Sequence, residues 1–251
     1  MTLAAPFPYF GGKRRAAPRI WQALGDPAGY VEPFAGSAAV LLARPTFAGR
    51  RVETLNDADG WLVNTWRAIQ LSPADVARHA WGPVAEIDYH ARLAWLQQRR
   101  TPDLVAWMEG DPEAHDAKAA GWWLYVVACG IGDPFGPGPW RVVDGHLRKL
   151  PHLGNAGRGP LAAYMAQLAD RLQRVRITCG SWERVVKPSV TRSGTGGDGT
   201  RAIFLDPPYS TSGDLYAHVD ADVGLAVRDW CETAPRELRV ILCGYDTEHD
   251  A

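Results

Sequence analysis

Asp206-Pro207-Pro208-Tyr209 closes a short apolar run, Ala202-Ile203-Phe204-Leu205. Asp206 places a carboxylate at the end of what reads as a strand. Pro207 cannot donate a backbone hydrogen bond, but its carbonyl still accepts one. Two acceptors side by side, on a turn stiffened by Pro207 and Pro208, suit a group with two hydrogens to give: an NH2. Tyr209 adds a flat face on which a planar base can stack. The exocyclic amine of adenine is a poor nucleophile because its lone pair is delocalised into the ring. Holding both of its N–H bonds draws the nitrogen towards a tetrahedral shape and frees the lone pair towards an electrophile such as a sulfonium methyl. The help is orientation and electrostatics, so no strong general base is needed.

Two further stretches carry chemistry of their own. In "EPFAGSAAV", Gly36, Ser37 and Ala38 are small enough for a ligand to approach the backbone, and the N-terminus of the following helix favours a negative group. The glycine spacing of a dinucleotide site is missing, which disfavours NAD. Asp57 follows Glu32 by 25 positions, where an acid is placed to hold a ribose diol. A nucleoside ligand without a pyrophosphate fits both features, and S-adenosylmethionine (AdoMet) is the obvious one.

The elements that must position these residues are legible in the pattern. A helix is expected to carry Ile20, Trp21 and Leu24. A strand ends at Glu32-Pro33-Phe34 and a helix follows from about Ser37. A second strand ends at Asn56-Asp57, and the next helix puts Leu62, Trp66 and Ile69 on one face. Strand-helix alternation of this kind predicts a parallel, doubly wound sheet. From "LSPADVARHAW", where Ser72 and Asp75 form a capping signature, the alternation stops until about residue 174. Within that interval Asp111 is expected to cap a helix ending near Cys129, and Leu161, Met165, Leu168 and Leu172 mark an amphipathic helix. Strands resume at "RVRITCG", "RAIFLD" and "LRVILCG". The fold class read from this is α/β: a Rossmann-like sheet with helices on both faces, interrupted by a mostly helical insertion. The sheet domain takes 1–71 and 177–251, and the insertion 72–176. The 42 residues after Tyr209 (251 minus 209) leave room for one helix and one strand.

Composition narrows the classes. Hydrophobic residues make up 46% and charged residues 22% of 251, an ordinary globular balance. No apolar run approaches the roughly 20 residues of a membrane helix, and "MTLAAPFPYFGGKRR" has no secretory pattern, so a cytoplasmic location is expected. Cys129, Cys179, Cys231 and Cys243 form no CxxC pair and the seven histidines are scattered; reduced thiols and no metal are expected. Net charge is −1, yet residues 140–187 hold nine Lys or Arg against three acids. A stretch of that sign suits a polyanion.

Taken together, "PYFGGK", "EPFAGSAAV", "LNDAD" and "FLDPPY", in this order, resemble the Dam-type DNA adenine methyltransferases. The likeness covers the sheet domain, about 6–70 and 177–246. It implies that Tyr9, Gly11, Gly12 and Lys13 serve the AdoMet and target pockets. It further implies that Glu32, Pro33, Phe34, Ala35, Gly36 and Ser37 line the methionine end, and that Asn56 and Asp57 serve the ribose. Asp206, Pro207, Pro208 and Tyr209 would grip a flipped base, with Asp206 also near the cofactor. At "TCGSWE", Ser181-Trp182 stands where relatives often carry an acid before the aromatic. Double-stranded DNA is the implied partner and a monomer the expected state. Its phosphates would meet the basic stretch, with Arg141, Arg148, Lys149, His152 and Arg158 as candidates. Two other readings stay open: an AdoMet- or DNA-binding module without turnover, and transfer to another amine such as cytosine or RNA adenine. A role in restriction-modification is an associated expectation.

Overall fold

In a computed structural model, the chain is described at residues 3–7, 9, 12–45, 51–82, 85–99, 103–111, 113–129, 142–143, 146–147, 158–191, 199–208 and 223–244. It divides into two compact units: 1–4, 10–59 and 174–251 form the first, 5–9 and 60–173 the second.

The first unit is built on five strands: β1 Gly29–Glu32, β2 Val52–Asp57, β5 Val175–Cys179, β6 Arg201–Leu205 and β7 Leu238–Leu242. All neighbours are parallel, in the order β5-β2-β1-β6-β7. The connections run outward from β1 to one side and then return to β6 on its other side, so the order reverses between β1 and β6. Parallel strands covered on both faces need apolar side chains on both, and Ala202, Ile203, Phe204 and Leu205 are all buried.

Alternation along β1 sorts the two faces. Tyr30 and Glu32 point to the side of α1 (Ala17–Leu24) and α2 (Ala39–Leu42), where the Trp21 ring lies 4.8 Å from that of Tyr30. Val31 points the other way, into a cluster with Trp182, Val185, Val186, Ile203, Leu205 and Val227. That second face is covered by a 3₁₀ turn (Trp182–Arg184), by α9 (Pro188–Thr191) and by α10 (Val223–Thr233). As expected, α1 buries Ile20, Trp21 and Leu24. The helix expected from Ser37 starts instead at Ala39, because the turn before it uses left-handed backbone at Gly36 (φ 45°) and Ala38 (φ 50°). For alanine that conformation costs about 1–2 kcal/mol, and no residue-type signal announces it.

The second unit is helical: α3 Gly60–Leu71, α4 Pro73–Ala80, α5 Glu86–Arg99, α6 Asp103–Gly110, α7 Ala117–Cys129 and α8 Arg158–Leu172, with a two-residue antiparallel pair, β3 Val142–Val143 and β4 His146–Leu147. Leu62, Trp66 and Ile69 of α3 are buried together, as are Leu161, Met165, Leu168 and Leu172 of α8. The Phe7 ring packs edge-on against Trp123, at 4.7 Å. Two expected caps are used differently. The Ser72 hydroxyl bonds the His115 ring (2.7 Å) rather than an α4 backbone N–H. Asp111 holds only a local turn by accepting from Glu113 N (2.8 Å), and α7 begins later, capped by Asp116 accepting from Ala119 N (2.8 Å). Asn64 explains that shift. It exchanges hydrogen bonds with the Asp116 backbone in both directions (2.8 and 3.0 Å), which fixes where α7 starts. The β3–β4 pair had no signal in the sequence.

Candidate active site

In an open parallel sheet the ligand crevice lies at the carboxyl ends of the strands, where the order reverses. Here those ends belong to β1 and β6, and they present the turn starting at Pro33 and the turn starting at Asp206.

At the β6 end, the Lys13 ammonium donates to both oxygens of Asp206, at 2.6 and 2.8 Å, and each side chain is 17% exposed. The sequence proposed Asp206 as an acceptor; it did not foresee that Lys13 would engage it. An ionised carboxylate has about four lone-pair sites, and Lys13 takes one on each oxygen. It also fixes the carboxylate plane. Pro207 is buried behind it, and Pro208 is half-buried.

At the β1 end, Glu32 is 2% exposed, and its Oε2 accepts from the Tyr30 hydroxyl (3.0 Å) and Leu41 N (3.2 Å). It thereby braces the strand against α2. Burial raises its pKa to about 8, the two hydrogen bonds opposing and the Asp206 charge adding to the rise. Pro33, Ala35, Gly36 and Ser37 are buried and Phe34 half-buried. The Phe34 ring lies 6.3 Å from Trp182, nearly parallel.

The β2 end ties the loops together. Asn56 donates to the carbonyls of Pro33 (3.0 Å) and Gly180 (2.9 Å), and its own amide oxygen accepts from Thr178 (2.9 Å). Asp57 accepts from Gly36 N and Asp59 N, both at 2.9 Å. Its pKa is raised to about 6, burial outweighing those hydrogen bonds. Thr178, Gly180 and Tyr30 are supports that the sequence reading missed. Only Tyr30 had a signal, since it sits two residues before Glu32 on the same strand face.

The first unit thus gathers Lys13, Glu32 to Ser37, Asn56, Asp57, Trp182, Asp206, Pro207 and Pro208 on its strand ends and the segments beside them. Gly12 and Ser181 are exposed, and the Ser181 hydroxyl accepts weakly from Glu183 N (3.4 Å). Tyr9 belongs to the helical unit, edge-on to Phe7 at 6.4 Å. Gly11, Tyr209, Arg141, Arg148, Lys149 and His152 lie outside the described residues; Arg158 opens α8, with only its backbone described. Cys129, Cys179, Cys231 and Cys243 are free thiols. Among the described residues no group of three or more His, Cys, Asp or Glu could hold a metal, and no helix is long and apolar enough to cross a membrane.

Glu32 makes stability depend on pH in a stated direction. The folded state keeps its proton up to about pH 8, whereas the unfolded chain releases it near 4.5. The folded state therefore binds more protons between those values, and stability falls as pH rises through that window, by up to about 1.4 kcal/mol per pH unit per proton. Asp57 adds the same sign between 3.8 and about 6. Glu32→Gln keeps an acceptor for Tyr30 and Leu41 and removes the titration. Urea midpoints of Glu32→Gln should gain on wild type steadily from pH 6 to 8; parallel curves would show that Glu32 does not titrate there.

A five-stranded parallel sheet flanked by helices, with acids and prolines on its carboxyl edge, is a Rossmann-like methyltransferase fold. Residues 9–83 match the family model for D12 class N6 adenine-specific DNA methyltransferase, which indicates a DNA adenine methyltransferase. The matched segment contains Lys13, Glu32 and Asp57 and ends well before Asp206. No curated protein matches the chain.

Proposed function

We propose that the chain transfers a methyl group from AdoMet to the exocyclic amine of an adenine flipped out of double-stranded DNA. The observation that carries this is the Lys13–Asp206 pair on the same sheet edge as Glu32 and Asp57, in a chain whose first third matches adenine-specific DNA methyltransferases.

The residues present fit AdoMet. Glu32 is a buried carboxyl whose pKa is raised by burial, with the charges of Asp206 and Glu53 adding, and the methionine end of AdoMet brings cations. Asp57 retains acceptor capacity beside a turn of small residues, suited to a ribose diol. When bound, AdoMet supplies an electrophilic methyl on a sulfonium sulfur. Asp206 and the Pro207 carbonyl accept the two N–H bonds of the amine and direct its lone pair to that carbon. Transfer of that methyl to the amine nitrogen would leave the cofactor as the neutral thioether, and the proton lost from the methylated nitrogen would pass to solvent. Lys13 orients Asp206. Tyr209 stacks on the base. Ser181-Trp182 borders the cofactor, Trp182 through its ring. Arg141, Arg148, Lys149, His152 and Arg158 contact the DNA backbone, and the protein works in the cytoplasm without a metal.

A second reading, a binding module without turnover, draws on the engagement of both Asp206 oxygens by Lys13. Incubation with methyl-labelled AdoMet and duplexes of varied sequence separates the two. Label in N6-methyladenine supports transfer; AdoMet binding with no label in any duplex supports the module.

A further inference from the structure

Helices α5 and α7 of the helical unit carry a row in which cations and aromatic rings alternate, running from buried Tyr125 to exposed Arg99. Arg92, Trp95 and Arg99 lie at i, i+3 and i+7 of α5; Lys118, Trp122 and Tyr125 lie at i, i+4 and i+7 of α7. The spacing puts each trio on one side of its helix. The Arg99 guanidinium lies 4.2 Å from the centroid of Trp95. The Lys118 ammonium lies 4.7 Å from Trp95 and 4.3 Å from Trp122. The Arg92 guanidinium lies 5.7 Å from Trp122 and 3.8 Å from Tyr125. Trp95 and Trp122 meet edge to face at 4.9 Å and join the two rows.

The ordinary explanation of a charged helix face is a lattice of surface ion pairs, and it fails here. Asp88 stands four residues before Arg92 on α5, the favourable pairing distance. Yet Arg92 stacks on α7 instead and donates a hydrogen bond, at 3.4 Å, to the His79 carbonyl. Among the described residues neither Arg92, Arg99 nor Lys118 is within ion-pair distance of a carboxylate. Three positive charges are thus ordered by ring faces but not neutralised. Stacking leaves the N–H edges of a guanidinium free to donate, and side chains already ordered lose less freedom when they bind. The row extends over seven residues, about 10 Å of helix.

We propose that this α5/α7 face is a second phosphate-contacting surface for double-stranded DNA, separate from the basic stretch 140–187. The inference rests on the reading that the chain binds DNA. Because cations occupy the ring faces, the rings are not a stacking platform for unpaired bases. The contact is therefore to the backbone and independent of sequence.

The test measures equilibrium binding of unrelated labelled duplexes from about 50 to 200 mM salt. Arg99→Gln and Lys118→Gln should each weaken all duplexes alike and reduce the salt slope by about 1, and the double variant by about 2. Arg99→Lys, which keeps the charge, should retain most of the slope. Thermal melts accompany each variant; if Lys118→Gln proves unstable, the exposed Arg99 decides alone. Unchanged slopes, a loss confined to one sequence, an Arg99→Lys loss equal to that of Gln, or no duplex binding by wild type would each overturn the proposal. Reduced slopes in a protein that methylates nothing would leave this surface standing and remove the transferase reading alone.

Discussion

Asp206→Ala should lower methyl transfer at saturating AdoMet and DNA by at least about 10²- to 10³-fold, while AdoMet affinity stays within a few-fold of wild type. The magnitude is that of deleting one oriented polar group from a preorganised site, about 2.7–4 kcal/mol of transition-state stabilisation. The direction follows from geometry. Asp206 ends β6 on a turn held by Pro207 and is clamped through both oxygens by Lys13. The removed atoms are thus ones whose position the structure fixes. The loss should appear in the transfer step because the amine needs the carboxylate most as its nitrogen becomes tetrahedral. Removing Asp206 also removes one of the charges that raise the Glu32 pKa, so the pKa of Glu32 should fall slightly and its ionised fraction rise. Single-turnover transfer and calorimetric AdoMet titration on the same preparation separate the effects. Equal losses in both would mean that Asp206 chiefly holds the cofactor; transfer within threefold of wild type would remove it from the chemistry.

The strand ends were legible because each ends in residues that cannot continue a strand. Pro33 and the prolines after Asp206 stop the ladder. The family likeness named Lys13, Glu32 and Asp57, and the matched segment 9–83 contains all three. Less legible was anything decided by a partner distant in sequence. Lys13 and Asp206 are 193 positions apart, and Asn56 and Gly180 are 124 apart; no local pattern encodes such pairs. The helix starts at Ala39 and Ala117 were misplaced for a related reason. Gly36 and Ala38 take left-handed backbone in a turn pinned by Asp57, and Asn64 fixes the start of α7 from another helix. Local propensity yields where a tertiary hydrogen bond sets the boundary. The division at Gly60 is of the same kind: α3 continues the strand-helix pattern of the sheet in sequence but packs with the helical unit.

Arg44→Met should destabilise the protein by about 3–5 kcal/mol, the cost of leaving a buried charge without its partner, and so lower the melting temperature by roughly 6–20 °C for a chain of this size. The Arg44 side chain is 1% exposed and donates to Glu53 (2.9 Å), itself 6% exposed. It also donates to Asp26 (3.2 Å) and the Pro27 carbonyl (2.6 Å), and lies 4.9 Å from the Trp21 ring centroid. Asp26 is half-exposed and keeps Arg51, whose hydrogen bond is the main cause of its lowered pKa. Methionine fills much of the volume, so the loss is mainly electrostatic. Adding Glu53→Leu removes the other half of the buried pair and should recover most of the stability, because a well-packed apolar replacement of a buried pair is often neutral or better. Arg44, Asp26 and Glu53 lie at the amino ends of β1 and β2, opposite the edge that carries Asp206 and Asp57. Methyl transfer well below the melting point should therefore be unchanged in the single variant. A shift under about 1 kcal/mol for Arg44→Met, or a double variant no better than the single, would show that this end of the sheet does not depend on the pair.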